Sequence, residues 1–150
     1  MSEAAAFDDL RELYSAAIRT HARTPQHAAR PAGFDGSARG DNPMCGDRVS
    51  VFVRRNGDRV EEAGFEARGC EISLASADLM CSAVAGLPVA EIGPFASRIE
   101  VMARTGACEE CGAMAPLSAV HAFPSRVKCV TLPWRALLAA LDGTKEATSE

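Results

Sequence analysis

Three things are missing from this chain of 150 residues, and each absence removes a class of function. No run approaches the roughly 18 apolar residues that a membrane span needs. The start, MSEAAAFDDL, has neither the charged nor the apolar region of a secretory leader, so the protein is expected in the cytoplasm and away from the membrane. Basic excess is missing too. With 16 Lys and Arg against 20 Asp and Glu, the net charge of −4 offers no field for nucleic acid. What is present is 47% hydrophobic sequence, enough for one core and so for a single domain over residues 1–150. Six cysteines in a reducing compartment are ligands or nucleophiles rather than disulfides.

Three of those cysteines fall with one aspartate in the segments NPMCGD, RGCEIS and SRVKCVTLPW: Cys45, Asp47, Cys70 and Cys129. The first two segments flank a β-hairpin. Val49, Val51 and Val53 alternate with Ser50, Phe52 and Arg54, the period of a strand with one buried face, and Asn56-Gly57 marks a tight turn. A second strand follows over Arg59 to Arg68. Pairing Arg55 with Asp58 would set Cys45 opposite Arg68 and put Cys70 at the same open end of the hairpin. Asp47, two residues after Cys45, points to the same side. Thr131 reads as the N-cap of a last helix with Pro133 in its first turn, and Ser73 as the cap of a helix running to Val84. Cys70 and Cys129 then stand just before helix starts, where free N–H groups and the helix dipole favour thiolates.

NPMCGDRVSV, GFEARGCEISLASADLM and FPSRVKCVTLPWRALL, in that order, closely resemble the SufU branch of the NifU/IscU-like proteins of iron–sulfur cluster assembly. LRELYSAAIRTHARTP is similar to that family's opening helix, so the resemblance leaves out only about Pro88 to Ala119. It implies that Cys45, Asp47, Cys70 and Cys129 are the metal ligands, and that Cys129 accepts persulfide sulfur from a SufS-like cysteine desulfurase, working with the downstream assembly machinery. It also implies an α+β fold, a short antiparallel sheet of two to three strands with helices on one face. IscU-type scaffolds have a histidine just before the last cysteine, whereas here Lys128 stands there. An ammonium has no lone pair to offer a metal, which leaves three thiolates and a carboxylate, a set that Zn²⁺ accepts.

Two readings of different class follow. In the first, the chain is a zinc-dependent, sulfurtransferase-like relay on which Cys129 receives sulfur and Asp47 tunes the site. In the second, iron takes the same ligands and a [2Fe–2S] cluster is built on them and handed to apo-proteins. Lys128 favours the first, and a purely structural zinc site is disfavoured by the aspartate.

The remaining candidates carry less. Cys108 and Cys111 in ACEECG have C-x-x-C spacing with no second pair to complete a zinc site, which leaves a bare loop, an auxiliary metal or a disulfide open. Cys81 reads as a small core residue. His21 and His27 read as solvated or capping, His121 as core or surface, and Trp134 as an anchor for the last helix. A first helix over about Ala5 to Thr24 precedes an exposed Pro- and Gly-rich connection, Pro25 to Pro43. Val89 to Arg104 should be short helical pieces broken at Gly93-Pro94, with one more turn around Leu117 to Val120. A third strand would come from Gly40 to Cys45 or from a split of the second strand, and residues 142–150 should fray.

Overall fold

Alternating valines organise the sheet. The computed structural model describes residues 16, 18–44, 46–144 and 146–148. Strand β1 is Gly36–Asn42, β2 is Asp47–Asn56, β3 is Arg59–Arg68 and β4 is Glu146–Thr148, in spatial order β3-β2-β1-β4. The first three are antiparallel and β4 runs parallel to β1. Val49, Val51 and Val53 are fully buried on the face that meets the helices. Those helices are α1 (described over 18–23), α2 (Glu71–Val84), α3 (Val89–Thr105) and α4 (Val127–Asp142), with 3-10 turns over Gly112–Ala122 and Pro124–Arg126. The fold is α+β, as expected.

Four sequence expectations need correction. The hairpin register differs because the turn is Gly57-Asp58, with positive φ at Gly57 but not at Asp58, the pattern of a type II′ rather than a type I′ turn. A bulge follows at Arg54/Arg55, and beyond it Arg48, not Cys45, faces Arg68. The third strand is Gly36–Asn42, overlapping the expected Gly40 to Cys45 stretch but reaching back into the segment expected to be a loop, because its glycines let α4 approach. A Cβ on Gly40 would lie 2.8 Å from Leu132 Cδ1, and one on Gly36 2.7 Å from the Ala140 carbonyl. Helix α3 runs unbroken through Pro94, since one missing N–H is outweighed by a buried stripe of Ile92, Ala96, Ile99, Met102 and Ala103. The tail does not simply fray: α4 continues to Asp142, and residues 146–148 add an edge strand.

Residues 24–35 cover the other face of the sheet. Phe34 packs edge-on to Phe52 at 5.0 Å, and Arg30 lies 4.8 Å over the same ring. Phe65 N donates to His27 O at 3.0 Å, so closely that Gly64 leaves no room for a Cβ against the Ala29 carbonyl. The anchor is Asp78 on α2, a fully buried carboxylate. It accepts from Gln26 N at 2.8 Å and His27 N at 2.9 Å and lies 2.7 Å from His21 Nδ1. His27 Nε2 also lies 2.8 Å from Ser82 Oγ, so both histidines, each half-buried, fasten the chain to α2. Most of the expected first helix lies outside the described residues, but Ile18 is buried as its spacing required.

Candidate metal centre

Gly69 and Cys70 bring the first two donors together. Asp47 opens β2 and Gly69 closes the far end of β3, so a Cβ on Gly69 would clash with the Asp47 carboxylate. That space lets Cys70 N donate to Asp47 Oδ1 at 2.8 Å. Cys70 itself is the N-cap of α2, its sulfur accepting from Ser73 N at 3.5 Å. Ser73 was the expected cap, but its hydroxyl turns inward and is shared between Asp47 Oδ2 at 3.0 Å and the Cys129 carbonyl at 3.2 Å.

The early start of α4 and the proline inside it explain that last contact. The helix begins at Val127, four residues before the expected cap, so Cys129 is its third residue and Pro133 lies in the interior. A proline at 133 has no N–H for the carbonyl at 129. Ser73 supplies the donor instead, and Ser76 Oγ donates to the next carbonyl, Val130 O, at 2.7 Å. Pro133 thus frees the backbone of Cys129 to be held by α2, an arrangement readable in principle from the C-x-x-x-P spacing.

Asp47, Cys70 and Cys129 converge, with one donor atom from each lying within 4.8 Å of the others. Asp47 and Cys129 are buried and Cys70 is half-buried. Cys45 lies outside the described residues; its neighbours Met44 and Gly46 belong to the turn that joins Asn42 to Asp47. Donors around one zinc stand about 3.5–3.8 Å apart, from bond lengths of about 2.3 Å to sulfur and about 2.0–2.2 Å to oxygen. The 3.7 Å between Cys70 Sγ and Asp47 Oδ2 matches that spacing, and two thiolates with a carboxylate are donors that zinc accepts.

The two thiols do not behave alike, although both were expected to be thiolates. A hydrogen bond from Cys129 holds Cys70 down to about 6 against the opposing effect of its burial, with help from Ser73 N–H. That same bond, together with burial and the facing Asp47 carboxylate, pushes the Cys129 thiol far above its ordinary range. Without a metal the pair shares one proton, carried on Cys129. His121 stays outside: it packs on Gly106, with Nδ1 2.9 Å from the Ser118 carbonyl. Cys81 and Trp134 are core residues, Trp134 stacking on Phe95 at 5.0 Å.

Residues 13–130 match the family described as the NifU-like N terminal domain. The chain is 34% identical over 145 residues, 95% of its length and 91% of the relative's, to a Streptococcus pyogenes protein named iron–sulfur cluster assembly scaffold protein IscU. It is 37% identical over 100 residues, 65% of its length and 68% of the relative's, to a Bacillus subtilis protein named zinc-dependent sulfurtransferase SufU. A crystal structure from Fervidobacterium islandicum, described as a candidate iron–sulfur cluster assembly scaffold for the SUF system, superposes with a TM-score of 0.80 at 29% identity. That match covers 87% of this chain and 97% of the other.

Proposed function

Because this chain belongs to the NifU-like N terminal domain family of iron–sulfur cluster assembly, we propose that it serves that process as a zinc-dependent sulfur acceptor, Cys129 taking persulfide sulfur from a SufS-like cysteine desulfurase. The observation that carries this reading is the convergence of Asp47, Cys70 and Cys129 beside Lys128, where no imidazole completes the set. Asp47, Cys70, Cys129 and the neighbouring Cys45 would hold the ion, which when bound keeps the sulfurs deprotonated.

In the transfer, the Cys129 thiolate attacks the outer sulfur of the donor's Cys–S–SH. A new S–S bond forms at Cys129, the donor's S–S bond breaks, and the donor's sulfur leaves as the thiolate. Cys129 is fully buried, so the transfer requires local opening of the site. Asp47, fixed by Cys70 N–H and the Ser73 hydroxyl, is the hardest donor of the set and would tune how readily the site opens. The β1–β2 turn beside the site exposes Met44 by 84%, an apolar contact for a docking partner. A groove of about 310 Å³ on the other flank is lined by Lys128, Arg104 and Arg135 with Glu100.

The test is stimulation of a SufS-type desulfurase. A Cys129→Ala variant is expected to lose it; stimulation at the parent rate would overturn the reading. The Streptococcus relative's name favours a second reading, in which the same donors carry a [2Fe–2S] cluster for transfer. Iron and acid-labile sulfide bound in stoichiometric amounts after anaerobic reconstitution would support that alternative.

A further inference from the structure

Apart from Cys81 in the core, the candidate metal centre leaves two cysteines unused, and they are not alike. Cys108 is exposed and Cys111, three residues on, is 2% exposed, its thiol donating to the Glu109 carbonyl at 3.5 Å inside the same short loop. Neither belongs to the group formed by Asp47, Cys70 and Cys129. Between them stands Glu110 with φ 51, the one positive-φ residue other than glycine among the described residues, and Gly112 with φ 55 follows. A side chain held in that conformation is a local strain, and here it turns the chain sharply between the two cysteines of the C-x-x-C loop. Cys111 then caps a 3-10 turn, its carbonyl accepting from Met114 N at 3.1 Å, which fixes the buried sulfur while the exposed one stays accessible.

We propose that Cys108 and Cys111 form a second sulfur site that opens S–S bonds, Cys108 attacking from the surface and Cys111 resolving from beneath. With a small disulfide RS–SR, the Cys108 thiolate displaces one RS⁻ and becomes Cys108–S–SR. Cys111 then attacks the Cys108 sulfur, closes the Cys108–Cys111 disulfide and displaces the second RS⁻. Two thiols are oxidised, one disulfide is reduced, and the two thiol protons pass to the leaving groups. With a persulfide R–S–SH, Cys108 takes the outer sulfur and releases RS⁻, after which Cys111 expels that sulfur as HS⁻. Burial, and then the Cys108 sulfur, push the Cys111 thiol up to about 11, with Arg98 opposing. The contribution from Cys108 disappears once Cys108 is consumed, so Cys111 becomes easier to deprotonate at the step that needs it. A loop this short constrains the unfolded chain little, so the bond is suited to exchange rather than to bracing the fold.

The experiment treats the zinc-loaded full chain with oxidised glutathione and, separately, with glutathione persulfide, followed by peptide mapping. Its readout lies at Cys108 and Cys111, independent of any desulfurase, so it can fail while the proposed function stands. The expected result is a Cys108–Cys111 disulfide with two thiols released per chain, or one sulfide per chain with the persulfide, and no change in zinc. Disulfide formation with only one probe identifies the source of the S–S bond and supports the site. Cys108→Ser should abolish the reaction, and Cys111→Ser should stop it at a single adduct on Cys108. Cys111→Ala should trap the same adduct, which guards against misfolding of one variant. No Cys108–Cys111 disulfide with either probe, or first modification at Cys111, would overturn the proposal.

Discussion

The two sulfurs of the metal centre differ because each is the other's main environment. Cys129 donates to Cys70, and that bond is the largest cause of the lowered value at Cys70. In metal-free protein the rate of Cys70 alkylation is therefore expected to rise through about pH 6 and level off above it. In Cys129→Ala the rise should move up toward the ordinary thiol range near 9.0. An unchanged midpoint would contradict the shared-proton account. For stability the sign is that of a depressed group: Cys70's contribution is complete above 9.0 and is lost as pH falls through about 6. Cys129, shifted upward, contributes in the opposite sense and loses its share only above the ordinary range. The residue types of this site were legible in the sequence, but their unequal protonation was not. Both thiols lie near helix starts, and their unequal neighbours, the Ser73 N–H at Cys70 and the Asp47 carboxylate facing Cys129, decide which one keeps the proton.

Between elements, the joint between α2 and α4 is made where α4 lacks a helical bond. Ser73→Ala removes the donor to both Asp47 and the Cys129 carbonyl, at an expected cost of about 1–3 kcal/mol in chemical denaturation. Pro133→Ala restores an N–H for that carbonyl, so the double variant should be more stable than the sum of the two single effects, a coupling of about 0.5–1 kcal/mol. Strict additivity would mean that the proline does not free this carbonyl. Asp78 plays a comparable part for the sheet's outer face. Asp78→Ala leaves the Gln26 and His27 N–H groups without their acceptor and should cost about 3 kcal/mol at an unchanged denaturant slope. At this scale the sequence was legible where side chains alternate, as in β2, and misleading where backbone contacts decide. Strand β1, GSARGDN, has no β-branched residue and is a strand because α4 requires the clearance at Gly36 and Gly40. The bulge that shifts the hairpin register leaves no mark in the alternation, and α4 begins early because Arg126 and Val127 continue a 3-10 turn.

Across the whole molecule, Asp47, Cys70 and Cys129, the candidate metal ligands, bring the open end of the β2–β3 hairpin together with α2 and α4. Binding of an ion there stabilises the entire fold by linkage. Zinc at a hundredfold excess over its dissociation constant contributes about 2.7 kcal/mol, which for a chain of this size raises Tm by about 5–10 °C. Chelation should remove that increment and added zinc restore it; a Tm indifferent to both would place the donors outside any metal site. No described helix is long and apolar enough to cross a membrane. The α+β architecture was legible from the strand and helix segments, and the approach of Cys70 to Asp47 from the open end of the hairpin. Cys129 was placed with them only by the family resemblance, because the tertiary fold brings α4 there. The C-x-x-C loop was not legible, since its geometry depends on a left-handed Glu110 that no residue pattern signals. The central claim is tested most directly by the zinc, iron and acid-labile sulfide content of the purified chain. One zinc per chain with neither iron nor sulfide is the predicted result, whereas stoichiometric iron and sulfide would contradict a zinc-dependent acceptor.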